Sequence, residues 1–521
     1  MKHDNSVLFL GPPGTGKTTT LVDTVGDYLG KGGDPARVAY VSFTRAAAQE
    51  ALHRTTFKLK MDAQDFPWFR TLHSAAYKLL GCDYTDMFGI EDAKFLGKRE
   101  GMYFGLDLRA PLEDVGFGLR NVTVGNTEGN RLLSLDNLSR VRRKDLRETW
   151  TDEASELQWL KVDYFQRMYS EYKQQAGVLD FTDLLSQAST CATVAVPELD
   201  LLVVDEGQDL SRLQWELVQR LADNATRLVL AGDDDQSIYS WSGADLDTFL
   251  NLKTTKKEVL SKTFRLPRCV FDVAEGISEQ ISERYPKTWS TTKKKGSVTH
   301  VTKWEKELDL QDQTKDWLLL FRNLYLMKDV EDYLVLHGLP FSAPSTEGIK
   351  DYMSAIETWE RLSSGQRAKA EDVRLVYDLM PCGPTGVRRG HKTLPEVEAG
   401  ELLSMDQLRA SHGLAAVGGW MKALPKIPDN LCGYFSSAMQ RGELLKRPRI
   451  TLSTIHGAKG QERDNVALWL DMSDRTRRGM DTDPDSEHRV FYVGVTRTLR
   501  NLYLVQPTTS RHYTLPRKAK T

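Results

Sequence analysis

Eight residues, Gly11-Pro-Pro-Gly-Thr-Gly-Lys-Thr18, constrain this chain more than any other stretch, because of what flanks them. Before them, Ser6 to Leu10 is a short apolar run that reads as a buried strand; after them, Lys17 to Tyr28 reads as a helix ending near Gly30. A strand, a glycine-rich turn and a helix in that order commit the region to an α/β fold. Gly11, Gly14 and Gly16 let backbone N–H groups curl around phosphate oxygens, which then sit on the positive end of the helix dipole. In such a turn Lys17 reaches the β- and γ-phosphates and the Thr18 hydroxyl ligates Mg2+, with Thr15 and Thr19 completing the nucleotide-contacting positions.

A second apolar strand, Leu199 to Val204, ends in Asp205-Glu206. Asp205 at a strand's carboxyl end can hold Mg2+, directly or through water, and Glu206 can orient and deprotonate an attacking water. A third strand, Arg227 to Ala231, leads into Gly232-Asp-Asp-Asp-Gln236, where Gln236 is placed to sense the γ-phosphate. Together these elements describe phosphoryl transfer from ATP to water, in which positioning and charge stabilisation supply most of the catalysis.

Composition narrows the setting. A chain of 521 residues is too long for one core and predicts three or four domains. No apolar run approaches the roughly 20 residues of a membrane span, and Met1 leads through charged residues into a strand, so a cytoplasmic protein without membrane contact is expected. The five cysteines lack any C-x-x-C pairing and read as buried free thiols. A net charge of −2 leaves a nucleic-acid partner open, since binding needs a local basic groove and not a basic total.

Further motifs follow in fixed order: Val41-Ser-Phe-Thr-Arg45, Thr71-Leu-His-Ser74, Val178-Leu-Asp-Phe-Thr-Asp-Leu-Leu185, Ser237-Ile-Tyr-Ser-Trp241, Thr263-Phe-Arg265, Thr451 to Glu462, and Glu487 to Thr498. In this order they resemble the UvrD/Rep/PcrA-like helicases of superfamily one along nearly the whole chain. The resemblance implies an α/β architecture of two tandem RecA-like P-loop domains, each interrupted by a mainly helical insertion, with ATP and Mg2+ between the domains. It casts Arg265 and Arg497 as arginine fingers, Glu462 as a ribose contact, and Phe264 as the ring stacked on adenine where the family usually has Tyr. It also places Phe43, Tyr239 and Trp241 as base-stacking platforms, with Arg45, His73 and His456 as contacts to the DNA backbone. Base stacking on an aromatic ring is worth about 1 to 3 kcal/mol and tolerates any sequence.

Three departures from the family pattern stand out. Only ten residues precede the phosphate loop, where the family carries an adenine-reading Gln, so selectivity for ATP over other nucleotides is open. Ser242 replaces the Arg of the usual Trp-Arg-Gly-Ala, removing a charge that helps couple nucleotide and DNA sites; Arg45 is a candidate to take over. Gln461 and Arg463 stand where apolar residues are usual, which predicts different local packing.

The expected organisation is a first RecA-like domain from 1 to 80 and 177 to 262, split by a helical insertion from 81 to 176. A second domain runs from 263 to 340 and 447 to 521, split by a short insertion from 341 to 446. Helical periodicity marks Glu153 to Tyr172, and a basic cluster spans Arg140 to Arg147, read as a solvated helix face with duplex phosphates as the alternative. Leu318 to Phe321 and Ile450 to Ser453 read as strands of the second domain, and Pro381 to Gly390 as a loop or hairpin. Lys293 to Lys295 and Arg517 to Lys520 read as solvated basic segments. The compact form hints at a bacterial phage or other mobile-element source.

The expected activity is an ATP-hydrolysing, 3′-to-5′ DNA helicase acting on single-stranded DNA and on junctions with duplex, with protein partners in replication, repair or recombination. Two alternatives are a single-strand translocase that unwinds little alone and an ATP-switched DNA-binding module. A small-molecule kinase would leave the DNA motifs idle.

Overall fold

A computed structural model of the chain describes residues 3–104, 127–292, 295–394, 397–398, 400–444 and 446–516. Lys293, Lys294 and Arg517 to Lys520, read above as basic segments, lie outside the described residues, as does part of the first insertion. The chain divides into two compact units, one of residues 1–294, 482–496 and 516–521, the other of residues 295–481 and 497–515.

The first unit is built on a six-stranded sheet of β1 (Ser6–Leu10), β2 (Val38–Ser42), β3 (Trp68–Thr71), β4 (Leu199–Asp205), β5 (Ala225–Gly232) and β6 (Lys256–Val259), in the order β3-β2-β4-β5-β1-β6. Every pairing in it is parallel. Helices cover such a sheet on its faces, so its strands are near-continuous apolar runs and not alternating ones. Tyr40, Leu201, Val203, Val229 and Ala231 are accordingly fully buried against Leu21 and Val25 of the helix Lys17–Gly30. Residues 263–294 belong to this unit as well, joined through the short parallel pair β7 (Lys262–Thr263) and β8 (Ser290–Thr291).

The first insertion has its own small core, in which Leu132, Leu133, Leu146, Phe165 and Tyr169 pack together. The expected continuous helix over Glu153 to Tyr172 is two helices, Leu146–Glu153 and Trp159–Ala176. The break is a turn in which the Trp150 indole donates to the Leu157 carbonyl at 2.9 Å. The basic cluster is solvated in part, with Arg143, Lys144 and Arg147 exposed, but three of its arginines are committed to carboxylates. Arg140 is ion-paired to Asp136, Asp180 and Asp183, Arg142 to Glu153, and Arg143 to Glu216.

The second unit carries another wholly parallel six-stranded sheet, of β9 (Ser297–Val301), β10 (Trp317–Phe321), β11 (Phe341–Ser342), β14 (Ile450–Thr454), β15 (Arg463–Trp469) and β16 (Thr498–Val505). Its order is β11-β14-β10-β15-β16-β9. The second insertion is mainly helical, with one antiparallel pair, β12 (Ala368–Lys369) and β13 (Leu402–Leu403), and Pro381 to Gly390 forms an irregular loop. Among the described residues this insertion shares its core with the sheet. Trp359, Tyr377 and Phe435 from it and Trp317, Leu319 and Phe321 from the sheet belong to one apolar cluster.

The cysteines are free, but none is buried: four are half-buried and Cys382 is exposed. Among the described residues no helix is long and apolar enough to cross a membrane.

Candidate nucleotide site and DNA-facing edge

In a parallel sheet all carboxyl ends lie along one edge, and ligands of such folds bind in the loops beyond it. Register alone therefore gathers the first unit's motifs. Leu10 lies beside Gly232 and Val259, and Ser42 beside Asp205 and Thr71, so the loops after all six strands emerge together.

The phosphate loop follows β1. Its Gly11 N–H donates to the Gly232 carbonyl at 3.0 Å, tying it to the loop after β5. Gly14 and Gly16 have φ of 73° and 87°, which favours glycine, and a Cβ at Gly14 would stand 2.2 Å from the Arg265 Cβ. Gly16 caps the helix Lys17–Gly30 with no side chain on its first N–H groups, so the cradle and helix end offer donors suited to an anion. The Lys17 Nζ is buried and donates to the Gly11 carbonyl at 2.8 Å, folded back along the loop.

The Thr18 hydroxyl and Asp205 Oδ2 are 3.4 Å apart, a hydroxyl and a carboxylate oxygen converging as a hard divalent cation requires. Tyr40 donates its hydroxyl to the same Oδ2 at 2.7 Å. Burial and then the neighbouring Glu206 charge push Asp205 up to about 6, which marks this as a place where positive charge would be welcome. The donor set thus fits Mg2+ between the Thr18 hydroxyl and Asp205. Glu206 has φ of 53°, a strained backbone for a non-glycine residue and one found at functional sites.

Gln208 clips this strand end to the loop after β5. Its Nε2 donates to Glu206 Oε2 at 2.6 Å, and its Oε1 accepts from the Asp233 N–H at 2.9 Å. Gln236 in turn donates to Asp233 Oδ2 at 2.7 Å. Beneath them lies a group that motif reading missed. The fully buried Lys287 Nζ is within 2.8, 2.5 and 3.0 Å of carboxylate oxygens of Asp233, Asp234 and Asp235. Burial alone would lower the lysine's pKa, but the three carboxylates outweigh it and raise it, so Lys287 stays charged. Arg284 pairs with Asp235, and Arg489, on the helix Pro484–Val495, donates from Nε to the Asp234 carbonyl at 3.1 Å. A lysine in Tyr-Pro-Lys-Thr-Trp carries no periodic or spacing signal; only its three partners reveal it.

Arg265 lies in this first unit, against the phosphate loop itself. Phe264 N–H donates to the Gly14 carbonyl at 2.9 Å and the Thr263 hydroxyl to Pro13 O at 2.6 Å. The Phe264 ring is 56% exposed, available to stack.

The candidate DNA residues of this unit share the same edge in different states. Phe43 and Tyr239 are stacked at 5.4 Å and buried, Tyr239 meets Trp241 edge-on at 6.4 Å, and the Trp241 ring is 42% exposed. Arg45, half-buried, opens the helix Arg45–Leu59 that Thr44 caps. His73 is buried against Phe181, and burial pushes its imidazole down to about 4. Burial leaves the ring neutral, so it would meet a phosphate as a hydrogen-bond donor and not as a charge.

In the second unit, Glu462 and Arg497 immediately precede the paired starts of β15 and β16, where the Arg463 N–H donates to the Arg497 carbonyl at 3.1 Å. His456 follows the carboxyl end of β14 and is buried. Since Thr454 pairs with Phe321 at one edge and Arg463 with Thr498 at the other, His456 and the Glu462/Arg497 pair lie at opposite edges of that sheet. Gln461 and Arg463, the two polar departures, are half-buried and turned onto carbonyls, those of Gly457 and Glu462.

A parallel sheet with a glycine cradle after β1, an acidic pair after β4 and a glutamine loop after β5 defines a P-loop nucleotide-binding protein of RecA-like α/β fold. The UvrD/REP helicase N-terminal domain matches residues 1–257 and the UvrD-like helicase C-terminal domain residues 434–508. The chain belongs to the UvrD/Rep helicase family. It is similar to the ATP-dependent DNA helicase PcrA of Staphylococcus aureus (strain Mu50), with 28% identity over 57% of this chain and 41% of that protein. It is also similar to a probable DNA helicase II homolog of Mycoplasma capricolum subsp. capricolum, 26% identical over 65% of this chain and 50% of the relative. DNA helicase II of Haemophilus influenzae is 25% identical over 64% of this chain and 48% of its own length. The chain thus spans about half the length of the curated relatives it matches.

Proposed function

We propose that this protein is a cytoplasmic, ATP-hydrolysing motor that moves 3′ to 5′ on single-stranded DNA and opens duplex at junctions. The observation that carries this reading is the short segment from Asp233 to Trp241. At one end Gln236 hangs from Asp233 beside the acidic pair; five residues on, Trp241 presents an exposed ring. A shift of this loop on loss of the γ-phosphate would reach the DNA platform through five residues of backbone.

In this reading Lys17 and the loop N–H groups bind the β- and γ-phosphates, Glu206 takes the proton of the attacking water, and Gln236 orients that water. Thr18 and Asp205 would hold Mg2+, which when bound would supply positive charge at the phosphates. Arg265 stabilises charge on the transferring phosphoryl group and Phe264 stacks on the base, with Arg497 as a further arginine finger and Glu462 as a ribose contact. Trp241 and Tyr239 stack bases, with Phe43, Arg45, His73 and His456 lining the track. Protein partners in replication, repair or recombination belong to the same proposal.

The decisive experiment is steady-state ATP hydrolysis with and without single-stranded DNA. Strong stimulation is expected, and Lys17→Ala or Glu206→Gln should each abolish turnover while oligonucleotide binding survives. Turnover retained in either variant removes the assignment. A second reading, a translocase that unwinds little alone, is favoured by the core that the second insertion shares with its sheet, which leaves no separate body there to swing. Strand displacement on 3′-tailed duplexes separates the two.

A further inference from the structure

The first insertion touches the DNA-platform loop through the end of one helix, where Leu138, Val141 and Arg142 meet Gly243. The helix Glu128–Arg142 ends against the loop of Ser240 to Gly243. Gly243 has φ of 100°, and a Cβ there would stand 2.7 Å from Val141 Cγ2, so the helix end is seated directly on the loop. Arg142 Nη2 donates to the Ser240 carbonyl at 3.0 Å, while its Nη1 pairs with Glu153 Oε1 at 2.6 Å. The side chain is only 19% exposed. Ser240 lies between Tyr239 and Trp241, and the Ser242 hydroxyl donates to the Tyr239 carbonyl at 2.8 Å. The two successive carbonyls that enter that tight turn, of Tyr239 and Ser240, are therefore met by a serine from within and by an arginine from the insertion.

We propose that Arg142 is a positioning residue for the single-stranded DNA platform. Its planar fork grips two acceptors at once, the Ser240 carbonyl and the Glu153 carboxylate, and so fixes where the backbone turns between the two rings. It also joins the helix Leu146–Glu153, through Glu153, to the loop that carries Gln236. Arg45, the candidate weighed from sequence, sits on the separate helix Arg45–Leu59. The inference rests on the reading of Tyr239 and Trp241 as stacking residues.

The test compares Arg142→Ala, Arg142→Lys, Trp241→Ala and Leu133→Ala in the full chain, by anisotropy with labelled oligo(dT) and by thermal unfolding. Leu133, buried in the insertion core, serves as a purely destabilising control. Arg142→Ala should weaken oligo(dT) binding roughly five-fold, the scale of one partly screened charge-assisted hydrogen bond. Arg142→Lys keeps the charge without the fork and should fall between it and the wild type, whereas Leu133→Ala lowers the melting temperature without changing oligo(dT) affinity. Wild-type affinity in Arg142→Ala alongside weakened Trp241→Ala overturns the role of Arg142 and leaves the platform standing. Wild-type affinity in both removes the platform reading and this inference with it. Affinity that follows melting temperature across all four variants makes Arg142 merely structural and overturns the proposal.

Discussion

The two insertions are attached to their sheets by opposite means. The first has a core of its own and meets the rest of its unit through charge: Lys173 and Arg140 close on Asp180 and Asp183, Arg143 on Glu216, and Arg142 on Ser240. The second meets its sheet through shared apolar packing, with Trp359 and Phe435 in one cluster with Phe321. Taking one partner out of a largely buried ion-pair network leaves the other charge uncompensated, whereas an apolar interface opens only by exposing surface. The first joint thus fails at single charges, and the second only with its whole core.

The contrast can be broken most forcefully at Trp359. Replacing it by Ala should cost about 3 to 5 kcal/mol and lower the melting of second-unit helix and sheet together. Hydrogen exchange that loosened the insertion but left the sheet protected would contradict a single core. Next in size, Arg140→Ala leaves Asp136, Asp180 and Asp183 short of a partner and should cost about 2 to 4 kcal/mol, read as chemical denaturation of the first unit.

A pH scan sharpens the same joint. His73 packs on Phe181, the first residue of the helix that Asp180 caps. Its folded pKa, about 4, lies below the ordinary histidine value of about 6.5, so the unfolded chain binds the extra proton. Stability from this group is complete above about pH 6.5 and is lost as pH falls towards 4, by about 2 kcal/mol at pH 5. His73→Gln should flatten that part of the pH–stability curve while the second unit's transition stays unmoved. The smallest effect belongs to Arg143→Ala. Its pair with Glu216 is bidentate but about a third exposed, and its loss should cost no more than about 1 kcal/mol and fade at high salt.

Much of this site was legible because its chemistry is local. The phosphate loop, the acidic pair and the glutamine loop each announce themselves within ten residues, and β1, β4, β5, β10 and β14 all fall within two residues of where hydrophobic runs place them. Long-range partnerships left no such trace. Lys287 is 54 residues from Asp233, and Arg142 is 98 from Ser240, so neither shows a spacing that marks its role. His73 sits in a motif of the right form, yet burial strips it of charge.

The sequence by itself determined which residues are candidates for the chemistry and in what order they follow along the chain, because phosphate cradles and strand-end carboxylates require particular residue types at particular neighbouring positions. Only the tertiary structure decided which of the remaining charges are committed to one another. Ion pairing depends on distance and burial, and those arise only when a parallel register brings segments far apart in the chain to one edge of a sheet.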